Sequence, residues 1–118
     1  MSTLQTRVKA LEMVIYIAGP YRSRFGEWGV RANVCEAEKA ALFVWQHGGV
    51  ALCPHENTAL FGGAPGTTDE TWLAGDLELL SRCDAVYAIP GWRESSGAMA
   101  ELRFAQDRNI PILHTQQD

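Results

Sequence analysis

Two carboxylates and one helix start carry most of the chemistry that the sequence offers. Ser95, Ser96 and Gly97 open the last helical segment, and Glu101 follows four residues after the glycine. Free backbone N–H groups and the dipole at a helix start favour an anion, and the Ser95 hydroxyl can add a hydrogen bond. Ser95 or Ser96 serves equally well as a plain N-cap. Glu101 borders an apolar face made by Ala98, Leu102 and Ala105. Its carboxylate therefore points either into a crevice or out to water. Asp76, in "GDLELL", lies early in the preceding helical segment. An acid there suits the helix dipole, or supplies a second carboxyl to a site.

Other polar and aromatic residues cluster in the loops. Tyr21 and Arg22 follow the first apolar run. They are ordinary surface residues unless an anion pocket lies beside them, in which case an Arg clamps phosphate. His55 and Asn57 read as turn-forming residues or as ligand contacts. Trp92 either stacks on a base or caps the core. Jointly, three segments offer an aromatic hydroxyl, a pair of carboxylates and an anion-binding helix start. That set suits cleavage of an N-glycosidic bond. One carboxylate attacks, or stabilises positive charge, at the anomeric carbon, while a second acid assists the departing base.

Such residues meet only if the fold brings the loops together. "MVIYIA" (13–18) is a continuous apolar run, as in a strand covered on both faces. Loop 19–29 precedes a helix over 30–47, with Val34, Ala37, Ala41, Val44 and Trp45 on one stripe and Gly48 and Gly49 ending it. A strand at 50–53 leads into a long loop, 54–70, of the kind that binds ligands. A helix over 71–82 follows, with Trp72, Leu73, Leu77 and Leu80 as its buried face. Then come a strand at 84–89, a helix at 95–107 and a strand at 110–114. Alternation of this kind predicts a parallel sheet with helices on both faces. Ligands then sit beyond the carboxyl ends of the strands, where the strand order reverses. Those ends are "GPYRS", "CPHENT" and "PGWRESSG".

Bulk properties narrow the function classes. A chain of 118 residues argues for one domain with a real core, 13–118, after a loosely ordered lead-in at 1–12. A net charge of −4 with scattered basic residues argues against a nucleic-acid-binding face. No apolar run is long enough to cross a bilayer, and no signal peptide is visible. Cys35, Cys53 and Cys83 lack close pairing and read as reduced, mostly buried thiols of a cytoplasmic protein. No Cys/His cluster suggests zinc, and nothing calls for a metal or an organic cofactor.

"IYIAGPYRS", "GDLELLSRCDAVYAIP" and "SSGAMAELRFA" together resemble the nucleoside 2-deoxyribosyltransferase-like superfamily. It includes deoxyribosyltransferases, 2′-deoxynucleoside 5′-monophosphate N-glycosidases, and small bacterial and phage proteins with "PHENT"-like and "PGWRESSGA"-like segments. The likeness spans about residues 13–113. It implies a flavodoxin-like three-layer α/β sandwich, an open parallel sheet of four to five strands with strand 2 at one edge. It implies Glu101 as nucleophile and Asp76 as second acid, with Tyr21 a looser match in the catalytic set. With the readings of the individual residues, Gly19, Arg22, Ser23, His55, Asn57, Trp92, Ser95, Ser96 and Gly97 are the candidate substrate contacts. Nucleoside-specific transferases place an Asp six residues before the nucleophile, and nucleotide-specific enzymes a Ser. Ser95 therefore points to a 5′-monophosphate, although "GPYRSRFG" has fewer glycines than the phosphate loop of those enzymes.

The resemblance also implies a homodimer or higher even oligomer, for which Trp28, Phe61, Trp72 and Trp92 offer apolar contact area. The expected activity is hydrolysis or base exchange on a small-molecule nucleotide or nucleoside. A non-catalytic nucleotide sensor on the same fold is the alternative, although a sensor has no need of both Glu101 and Asp76. A redox or receiver domain fits less well. The first strand is followed by no Ser/Thr-rich phosphate loop, and no acidic pair marks a receiver site.

Overall fold

The computed structural model describes residues 13–57 and 63–114. The expected lead-in at 1–12, Phe61 and the middle of loop 54–70 lie outside them. The elements run β1 (Val14–Ala18), α1 (Gly26–Gln46), β2 (Val50–Leu52), the single turn α2 (Pro54–Asn57), α3 (Asp69–Leu80), β3 (Ala85–Ala88), α4 (Ser96–Asp107) and β4 (Ile112–His114).

All four strands are parallel, in the order β2-β1-β3-β4. Tyr16 of β1 stands opposite Leu52 and Val86, and Ala88 stands opposite His114. The alternation of side chains along a strand divides the core into two layers. Ile15, Ile17, Ala85, Tyr87 and Leu113 face α1, which presents Ala37, Ala40, Ala41 and Val44. Three small alanines let that helix approach the sheet closely. Tyr16, Ala18, Val86 and Ala88 face the other way, against Leu80 of α3 and Leu102 and Ala105 of α4. The architecture is the expected α/β flavodoxin-like one. Among the described residues, no helix is long and apolar enough to cross a membrane.

Helix ends follow local chemistry. Gly48, at φ 91°, closes α1: its N–H donates to Trp45 O at 3.2 Å, and Gly49 N–H donates to Val44 O at 3.0 Å. Asn109, at φ 58°, closes α4 in the same way, with Ile110 N–H donating to Ala105 O at 2.9 Å.

Several boundaries differ from those expected. Helix α1 begins at Gly26 rather than residue 30. Gly29 reads as a loop residue, yet it is helical and lies beneath Ser23; a Cβ there would fall 1.9 Å from Ser23 Oγ. Helix α3 begins at Asp69 rather than Thr71, because Thr68 and Thr71 form a reciprocal capping box. Loop 54–70 contains the helical turn α2. Trp45 and Leu73 are exposed rather than buried, since the apolar stripes of α1 and α3 are narrower than the spacing suggests. Cys35 is exposed and Cys53 and Cys83 are half-buried, so the thiols are less buried than expected.

Candidate active site

The order β2-β1-β3-β4 reverses between β1 and β3, and their carboxyl ends lie side by side there. Gly19, just past β1, passes so close to Ile89 that a Cβ would fall 2.3 Å from Ile89 Cγ1. Any larger residue there would force the Ile89 side chain to move. A crevice of about 480 Å³ opens beside it. Gly19, Tyr21 and Arg22 line it from the first strand end, and Pro54 and His55 from α2. Asp69, Trp72, Leu73 and Asp76 of α3, and the segment from Glu94 to Ala98 with Glu101, complete it.

Glu101 is 6% exposed, so its carboxylate belongs to the interior and not to the surface. The 3.6-residue period puts it on the sheet-facing side of α4, one turn before Ala105. There it accepts a hydrogen bond at Oε2 from the hydroxyl of Tyr16, which is fully buried in β1. Burial pushes the Glu101 carboxyl up to about 7, the Tyr16 hydrogen bond opposes that rise, and the nearby Asp76 charge adds to it. Burial also pushes Asp76 up to about 6. Tyr16 itself is driven far above the ordinary tyrosine range, first by burial and then by the charges of Glu101 and Asp76. It acts as a permanent donor.

Asp76 lies two turns inside α3 rather than near its start, because the helix begins earlier than expected. A helix-terminal charge therefore does not explain it. Ser95 is the N-cap of α4, with Ala98 N–H donating to its Oγ at 3.1 Å. It also lines the crevice, so capping and site roles coexist.

His55 is buried and ties two strand-end loops together. Its Nε2 donates to Pro20 O at 2.8 Å, and its ring meets Tyr21 edge-on with centroids 5.3 Å apart. Burial lowers its pKa, which favours the neutral ring. Arg22 pairs with Asp69 across the crevice mouth.

Three candidate contacts do not line this crevice. Asn57 is exposed at the end of α2. The Ser23 hydroxyl accepts from Phe25 N–H at 3.0 Å beside the start of α1. Trp92 packs on the core layer beneath α4, with Arg93 over its ring at 4.5 Å. It has the core-capping role, because the turn at Trp92–Glu94 rotates it away from the crevice. Sequence reasoning passed over Tyr16, Asp69 and Glu94, and it assigned Trp72 and Leu73 to the core rather than to the crevice wall. For Tyr16 a signal existed: a tyrosine inside a fully apolar strand needs a buried partner for its hydroxyl.

Comparison with solved structures places this sheet among nucleoside 2-deoxyribosyltransferase-like folds. A similar solved structure is the 2-desoxiribosyltransferase from Leishmania mexicana, at 21% identity and a TM-score of 0.60. The match covers 89% of this chain and 65% of that one, so this chain spans slightly under two thirds of that protein. The chain belongs to the family described as a domain of unknown function (DUF7768), whose model matches residues 13–115. No curated protein matches it.

Proposed function

We propose that the chain cleaves or exchanges the N-glycosidic bond of a nucleoside or nucleoside 5′-monophosphate, with Glu101 as nucleophile. One observation carries the reading: a buried carboxylate at the sheet's switch point lines a crevice and is held by a tyrosine hydroxyl. Burying a carboxylate this way costs stability, and such perturbed groups concentrate at functional sites. The likeness to a deoxyribosyltransferase supports the reaction class.

In this mechanism Tyr16 holds Oε2 and leaves Oε1 to attack the anomeric carbon. The C1′–N bond breaks and its electron pair leaves with the base. The two carboxyls share one proton, the reactive form is the one with Glu101 ionised and Asp76 protonated, and Asp76 gives that proton to the departing nitrogen. Water or a second base then attacks C1′, releases Glu101 and restores the proton to Asp76. Trp72 and Leu73 offer the apolar wall that a base requires.

A panel of nucleosides and 5′-monophosphates, with and without free base, resolved by chromatography, tests the reading. Binding without turnover across the panel, at every pH from 5 to 9, would leave the sensing module in its place. The same proposal includes assembly as a homodimer or higher even oligomer, since Trp28, Leu42 and Trp45 expose apolar surface on α1. A monomeric mass by light scattering at micromolar concentration, with activity retained, would remove that part.

A further inference from the structure

Arg22 and Asp69 meet at the mouth of the crevice, one from the loop after β1 and the other from the first turn of α3. Their side chains are 74% and 72% exposed, so water screens the pair and it adds little to folding. For a ligand the pair matters more. Among the described lining residues Arg22 is the single Arg or Lys, against the four carboxyls of Asp69, Asp76, Glu94 and Glu101. His55 adds no charge near neutrality, because burial lowers its pKa.

A dianionic phosphate at the start of α4 meets favourable backbone N–H groups and Ser95 there. It also meets Glu94, next to Ser95 on the same wall. The cation that could offset Glu94 is already held by Asp69.

We propose that Asp69 is a specificity-determining residue: by holding Arg22 it favours a sugar with an uncharged 5′ end over the corresponding 5′-monophosphate. This rests on the N-glycosidic reading of the same crevice. The pair uses one guanidinium nitrogen, Nη2, so a 5′-phosphate on Arg22 must displace the Asp69 carboxylate or share the guanidinium with it, and either course weakens its binding. Removing that carboxylate frees the guanidinium, and a freed guanidinium matches phosphate geometry with two parallel N–H donors.

The test is a double-mutant cycle of Asp69→Asn and Arg22→Gln. For each variant, kcat/KM is measured on one nucleoside and on its own 5′-monophosphate, at low salt. The readout is the ratio of the two within each variant, so a loss of folded protein cancels. Asp69→Asn is expected to raise the monophosphate-to-nucleoside ratio by about three- to fivefold, the upper scale of one exposed charge pair. In the Arg22→Gln background the same change is expected to alter the ratio by less than about twofold. An unchanged ratio in Asp69→Asn overturns the proposal. So does an equal rise without Arg22, which would make Asp69 a simple repelling charge. Calorimetric binding of the same monophosphate to the four proteins separates this from the reaction itself. If no variant turns over any substrate, the N-glycosidic reading falls. An affinity gain in Asp69→Asn that needs Arg22 then still upholds the ion pair's role, and no gain removes it.

Discussion

Tyr16 and Glu101 stand 85 positions apart in the chain, yet one hydrogen bond joins them between β1 and α4. The contact needs two independent periodicities to agree. Strand alternation turns Tyr16 away from α1, and the helical period turns Glu101 toward the sheet.

Removing that hydroxyl is the most direct probe. Tyr16→Phe deprives the Glu101 carboxylate of a donor to a charged group, on the order of 1.5–3 kcal/mol. A fall of about ten- to a hundredfold in kcat/KM is expected. The hydrogen bond lowers the Glu101 pKa, so its loss moves the carboxyl's titration upward. The pH–rate profile should shift to higher pH, and an unshifted profile at reduced rate would mean that Tyr16 only packs.

Glu101→Gln should abolish turnover and also change how stability depends on pH. Burial raises the folded carboxyl from 4.5 to about 7, so the folded state binds a proton that the unfolded state releases in between. The stability tied to that proton is present below the unfolded value and is lost as pH rises through the folded one. At pH 8 the variant should exceed the wild type by on the order of 3 kcal/mol, and the two should converge near pH 4. Denaturant melts at both pH values measure this. Parallel stability curves would show that Glu101 is not buried in its charged form.

Asp76→Asn separates two effects of one group. Its charge raises Glu101, so its removal should lower the pH at which Glu101 titrates. Its role as acid is worth about 10²–10⁴ in rate, and less for a base that leaves easily. Rates on a poor and a good leaving base should therefore diverge in the variant. Equal losses on both would assign Asp76 a purely electrostatic role. In the wild type, kcat/KM should be bell-shaped with limbs near 6 and 7 that belong to the pair and not to either residue.

Ser95→Ala should cost about 1 kcal/mol of stability, because Ala98 N–H loses its acceptor. The Ser95 hydroxyl proton remains available to a 5′-phosphate. A loss of about ten- to a hundredfold on a monophosphate, with a smaller loss on the matched nucleoside, is expected. Equal losses on the two would confine Ser95 to capping.

The sheet was legible because β1 and β3 are continuous apolar runs and a helical segment separates each strand from the next. Residues Ala98, Leu102 and Ala105 likewise marked the buried face of α4 correctly. The site was legible only in part. Residue types suggested carboxylates and a helix start, but not which aromatic hydroxyl would meet Glu101. Tyr21 sits in a loop, where sequence neighbours draw attention. Tyr16 hides in a strand, where it reads as one more apolar position. Trp92 shows the opposite difficulty: a tryptophan in a polar loop left stacking on a ligand and capping the core both open, and tertiary packing sets it, half-buried, against the core. Charge placement was the least legible feature, since the pairing of Arg22 with Asp69 joins the loop after β1 to the first turn of α3, 47 residues apart.

The burial of Glu101 beside Asp76 sets two selection pressures against each other. A population of variants screened only for heat resistance at alkaline pH should accumulate neutral residues at positions 101 and 76, because each removes a carboxyl that the fold disfavours in its charged form. A population screened for turnover should tolerate almost nothing there. Deep sequencing of the two pools would therefore single out positions without any prior assignment of roles: they are the places where durability and activity ask for different amino acids.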